Sequence, residues 1–152
     1  MSSKAIGLLA AGLLLSSAAV AQEQWTEGPV WECSAYRTNP GMFDTYIKWI
    51  RSHSEVINAE AKKQGLILDY KTYLHVPRDQ NDYDVLFCTL YPSFGKALDY
   101  DAGDDAKFDK ISEAHWKTAD EDKQREANAP RLEMRTFMGT SHHREVTLRP
   151  IS

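Results

Sequence analysis

Residues Ile67–Val76, reading Ile-Leu-Asp-Tyr-Lys-Thr-Tyr-Leu-His-Val, alternate in the manner of a β-strand. Successive side chains of a strand point to opposite faces. Leu68, Tyr70, Thr72, Leu74 and Val76 therefore share one face, and Asp69, Lys71, Tyr73 and His75 share the other. The first set can enter a core. The second carries charge, phenol and imidazole. The elements on either side can be read as fitting themselves to this strand.

Upstream, Asn39-Pro40 opens a helix, because Asn caps well and Pro at the first helical position gives up no needed N–H. From Met42 to Lys63, the residues Phe43, Tyr46, Ile47, Ile50, His53, Ile57 and Ala61 recur every three or four positions, one amphipathic stripe. Gly65 is placed to end it. Before this helix, Val30–Arg37 reads as a strand, with Trp31, Cys33 and Ala35 opposed to Glu32, Ser34 and Tyr36. Downstream, Pro77 stops the central strand and Arg78–Asp82 turns the chain. Tyr83–Tyr91 is the third strand, with Leu86, Cys88 and Leu90 opposed to Val85, Phe87, Thr89 and Tyr91. The short link predicts a hairpin. Ser93–Leu98 reads as a short helix. Ala106–Thr118 reads as a long one with Phe108, Ile111 and His115 inward. Asp120–Asn128 reads as a solvated extension. Leu132–Met138 is the last strand, and Gly139 marks a bulge or kink.

The order β-α-β-β-α-β predicts an α+β fold of the ferredoxin-like kind, an antiparallel four-stranded sheet with two main helices on one face. The first and third strands are central neighbours in that arrangement. Cys33 and Cys88 sit on them, and alternation places both on the more apolar side, expected to face the helices. A disulfide is one reading of the pair; two buried thiols side by side is the other.

The ends and the composition set the setting. Lys4, the apolar run Ile6–Leu15 and Ala19-Val20-Ala21 form a secretory signal peptide cleaved before Gln22. A membrane anchor is the alternative, but the run is short against the roughly 20 apolar residues of a span. The chain divides into a signal peptide (1–21), a mobile lead-in (22–29), one domain (30–139) and a tail (140–152). The mature protein is expected to be periplasmic or secreted, with no membrane span. Export favours the disulfide. The formal charge of −4 is spread along the chain without a basic stripe, which argues against a nucleic-acid partner.

From Val30 to about Met138, the element order, the long first helix and an aromatic, partly polar sheet face resemble the dimeric α+β barrel superfamily. That group includes antibiotic-biosynthesis-type monooxygenases, EthD-like and NIPSNAP-like domains, and small cyclases and isomerases. The resemblance implies a homodimer packed sheet against sheet, and a ligand held between sheet and helices of one subunit. Tyr36, Tyr73, Phe87, Tyr91 and Phe137 would form the patch that a monomer leaves exposed. Asp69, Lys71, Glu133 and Arg135 would pair at its rim.

Candidate chemistry centres on His53, His115 and Tyr70. Helical spacing aims both imidazoles toward the sheet, where Tyr70 and Thr72 rise. Trp49 and Trp116 flank them in sequence, and Tyr46 lies one turn away. Imidazole titrates near neutral pH, so the three can act as acid and base on a small apolar or aromatic molecule, without a cofactor. The bland alternative is two core-edge histidines capped by hydrogen bonds. His75, beside Tyr73 and Arg135, offers a second polar group for a carboxylate or phenol, or an interface contact. Adjacent His142 and His143 point to opposite sides of an extended chain and do not chelate a metal. Nothing marks a haem ligand. The acidic loop Asp99–Asp104 has Gly where a calcium ligand belongs and Lys110 where the closing Glu belongs, so it is no EF-hand. The sequence leaves two functions open: an exported small-molecule binder with acid–base or monooxygenase-type chemistry, and a non-enzymatic envelope module.

Overall fold

A computed structural model describes residues 24–151. The segment expected to be a signal peptide, residues 1–21, lies outside the described residues. The described chain contains β1 (Trp25–Thr38), α1 (Phe43–Ser52), α2 (Ser54–Lys63), β2 (Asp69–Leu74), β3 (Val85–Tyr91), α3 (Phe94–Leu98), α4 (Ala102–Trp116), α5 (Glu121–Asn128), α6 (Pro130–Met134) and β4 (Arg135–Leu148). The strands form one open sheet in the order β2-β3-β1-β4, every neighbour antiparallel. The protein is therefore an α+β fold on a four-stranded antiparallel sheet.

Strand β1 is central and longer than its sequence pattern. Trp25 and Thr26, expected in a mobile lead-in, pair with Leu148 and Thr147, expected in a tail. Both ends are strand because each supplies the other's backbone partners. At Gly28 a side-chain carbon would meet the Glu145 carbonyl at 3.0 Å, so the close approach there favours glycine. The last strand starts at Arg135, not Leu132. Pro130 sits at the start of a short helix that carries Leu132 and Met134. Register shifts between Ala35 and Tyr36, opposite Gly139 and Phe137. Gly139 takes φ +133 there, the bulge its sequence position suggested.

The expected 42–63 helix is two helices. His53, with φ −124 and ψ −66, caps α1 and precedes α2. The end of α2 follows its sequence: Gly65 at φ +74, Leu66 N–H to the Ala61 carbonyl and Gly65 N–H to the Lys62 carbonyl, both 3.0 Å. That is a Schellman cap, completed by packing of Leu66 with Ala61.

Two apolar clusters glue helices to sheet. Ala61, Leu66, Ile67 and Ile111 pack with Ile57, Tyr70, Tyr91 and Phe108. Tyr46, Ile50 and Val85 pack with Tyr36, Ile47, Trp49, Phe87 and Met134. These clusters decide which sheet face the helices cover. Tyr70 and Thr72 do lie on it. Tyr36, Phe87 and Tyr91 lie on it too, against the expectation that they form an outer patch. By alternation Cys33, Cys88, Trp31, Ala35, Leu86 and Leu90 take the opposite face. The expectation that the cysteines face the helices is therefore overturned. Large aromatic rings fill the gap under the helices better than the small cysteine and alanine side chains do.

Cys33 and Cys88 are directly opposed in the β1–β3 register, with Cα atoms 4.1 Å apart, and are joined by a disulfide. The bond closes a loop across 55 positions, worth at most about 4 kcal/mol in the chain-entropy treatment. Reduction, or Cys33→Ser with Cys88→Ser, is expected to lower the urea midpoint, and the unfolding free energy extrapolated from it by up to that value. An unchanged midpoint in reductant would show that the bridge holds nothing the strand pairing does not already hold.

Candidate functional site

The break at His53 does chemical work. The chain bends at Ser52-His53-Ser54, and Asn58 donates to the Ser54 carbonyl at 2.8 Å, steadying the restart. His53 Nδ1 and His115 Nε2 then meet at 2.8 Å. One ring must donate and the other accept, so the bond requires at least one neutral imidazole with a lone pair turned to its neighbour.

Aromatic rings enclose the pair. His53 stacks on Trp116 with centroids 4.7 Å apart and lies 4.9 Å from Trp49. Trp116 meets His115 edge-on at 4.6 Å. Trp49 in turn stacks with Tyr46 at 6.3 Å, and Tyr46 meets Tyr36 at 6.0 Å. Desolvation lowers the pKa of His53 below the usual imidazole value, and His115 adds to the effect. Desolvation also lowers His115, with the Lys117 ammonium beside it. Both rings are half-buried. A neutral pair joined by one proton can take a proton at one outer nitrogen and release one at the other, a relay between acid and base.

His115, but not His53, lines a groove of about 780 Å³ between α2 and α4. Val56, Ile57, Ala59, Ile111 and Ala114 make its apolar floor, and His115 and Lys117 stand at one end. The volume suits a small organic ligand. The groove lies between helices, not between helices and sheet. The layer under the helices is filled: Val85 is 0 %, Ile67 1 % and Tyr46 2 % exposed.

The structure thus gathers His53, His115, Trp49, Trp116 and Tyr46 into one aromatic run. It places Tyr70 apart, in the cluster with Ile67 and Ile111. Burial drives the Tyr46 phenol well above its ordinary pKa, so it is no base at neutral pH. Thr72 donates to Glu55 at 3.5 Å and lines a shallower pocket of about 240 Å³ with Ile47, Ile50 and Arg51. His75 does not join Tyr73 and Arg135. It lies past the end of β2, stacks on Tyr83 at 4.6 Å and bonds Asp82 at 3.0 Å. Asp82 also accepts from the side chain and backbone of Arg78, which holds its carboxyl far below the usual range and fastens the β2–β3 turn. The expected rim pairs form otherwise: Asp69 binds Lys62 at 2.8 Å, and Lys71 sits over Trp31. His142 bonds Glu32 while His143 bonds Ser141, so the two rings do diverge. Asp101 caps α4 through the Gly103 and Asp104 amides.

Comparison with protein-family models, with curated proteins and with solved structures finds no match. What the site does rests on its own geometry.

The lowered imidazole pKa values fix a sign. As pH falls through about 6.5, the unfolded chain takes up protons that the folded pair resists, so the pair's contribution to stability is present above that pH and fades below it. Between about pH 7.5 and pH 5, the wild type is expected to lose more stability to urea than the double variant His53→Gln, His115→Gln. Equal losses would mean that the pair is not desolvated in the folded state.

Proposed function

We propose that this is an exported protein that binds a small, largely apolar or aromatic molecule in the α2–α4 groove, with the His53–His115 pair available for cofactor-free acid–base or monooxygenase-type chemistry at its end. One observation carries the reading: His115 lines a largely apolar groove of about 780 Å³ and is hydrogen-bonded to His53, which lies between Trp49 and Trp116. Structural histidines at a core edge need a partner but no adjoining groove. A proton relay needs both. The strand order β2-β3-β1-β4 is the one a ferredoxin-like β-α-β-β-α-β chain adopts, and it supports placing this domain near the dimeric α+β barrels. The intrachain disulfide supports an oxidising compartment, periplasmic or extracellular.

The alternative reading, a non-enzymatic module dimerising through its sheet, draws support from the face opposite the helices. Trp31, Ala35, Leu86 and Leu90 are only half-buried there, and Tyr73 is 47 % exposed. Of the expected patch of Tyr36, Tyr73, Phe87, Tyr91 and Phe137, only Tyr73 lies on this face. Sedimentation of wild type and Leu86→Glu tests it: a dimer that the variant dissociates supports it, and a monomeric wild type removes it.

Phenylnaphthylamine, a neutral fluorescent aromatic, probes the groove. The wild type is expected to bind it, and Ala114→Trp, which fills the floor from an exposed helix position, is expected to weaken binding about tenfold or more. His115→Ala changes the groove's end and is expected to shift the dye's emission. Binding that Ala114→Trp leaves intact would place the ligand elsewhere and end the groove reading.

A further inference from the structure

A second cluster sits at the opposite end of the aromatic run from the histidines. Arg135, the first residue of β4, lies with its guanidinium carbon 3.6 Å from the Tyr36 ring centroid and 5.3 Å from that of Tyr46. Arg131, on α6, lies 5.8 Å from the Trp49 centroid. Three rings therefore hold two guanidiniums by cation–π contact. Both arginines are half-buried. They repel each other: burial first, and Arg135 second, pull the pKa of Arg131 down.

Two like charges brought together out of water normally share a carboxylate. Among the described residues neither has one. The ion pairs among the described residues engage Lys62, Lys63, His75, Arg78, Lys96, Lys107, Lys123, Arg125, His142 and Arg144, but not Arg131 or Arg135. The nearby carboxylate Asp84 is engaged by the backbone N–H and the hydroxyl of Thr38. The Arg135 Nε is buried with no acceptor. The buried Nε is out of a ligand's reach, but a guanidinium is the side chain whose terminal fork matches a planar carboxylate.

We propose that Arg131 and Arg135 form a binding site for a small aromatic carboxylate. The two guanidiniums supply the charge and the fork. The exposed ring of Phe137, whose centroid is 5.7 Å from that of Tyr36 and which is 58 % exposed, offers a face for the ligand's own ring. That ring favours an arenecarboxylate over a bare inorganic anion. The site is separate from the α2–α4 groove, whose lysines are Lys63, Lys110 and Lys117.

Isothermal titration with benzoate, acetate and inorganic phosphate tests this. Benzoate is expected to bind with a dissociation constant of roughly 1 mM or tighter, and more tightly than acetate or phosphate. Arg131→Gln and Arg135→Gln are each expected to weaken it about tenfold or more, the loss of one charge-assisted contact. Arg135→Lys keeps the charge and loses the fork, so it serves if Arg135→Gln unfolds, and it is expected to weaken benzoate as well. Lys110→Gln with Lys117→Gln is expected to leave benzoate binding unchanged. The proposal is overturned by absent benzoate binding, by phosphate binding more tightly than benzoate, or by benzoate loss in the lysine variant with the arginine variants unaffected.

Discussion

Strand β1 pairs with β3 on one side and with β4 on the other, and the rest of the structure hangs from that double pairing. A strand held on both edges cannot slip by one residue without turning every side chain to the wrong face. Tyr36 is therefore fixed beneath α1 and Cys33 is fixed away from it. The Cys33–Cys88 bond locks the same register covalently. Once the register is set, Tyr36, Phe87 and Tyr91 define the floor on which α1, α2 and α4 settle.

Much of this was legible in the residues. Alternation marked β2 and β3, the Asn39-Pro40 and Gly65 signals bounded the first helical region, and the placement of two cysteines on central strands anticipated their bond. The face of the sheet was not legible. In β1 both alternating sets mix polar and apolar groups, so composition favoured Trp31, Cys33 and Ala35 as the inner set. Volume decided otherwise: the space under the helices needs rings, and Glu32 on that side is met by His142 at 3.1 Å. The ends of the domain were also hidden. Trp25–Pro29 reads as a mobile lead-in, and the tail reads as extended only over Glu145–Leu148 and free to lie along a partner subunit; the two complete each other within one chain.

The histidine pair shows a similar limit. Periodicity put His53 and His115 on the inward stripes of their helices, and that much holds. The break in the helix at His53 has no Pro or Gly to announce it, only serines on either side. It is tertiary: the bend lets one imidazole reach the other and lie between two indoles. Tyr70 could not join them, because the same alternation that turns it toward the helices places it over Ile67 and Ile111. Arg135 read as a polar group at the rim of the sheet and Arg131 went unnoticed, because Leu132–Met134 reads as the start of the last strand where the structure has α6.

The claim that carries most weight is that His53 and His115 are one coupled, desolvated pair. Nitrogen-resolved NMR of the imidazoles across a pH titration observes it directly. A coupled pair shows one ring donating from Nδ1 or Nε2 to the other at neutral pH, and both midpoints below the ordinary value of about 6.5. Two rings titrating independently near that value would contradict it, and the proton relay with it.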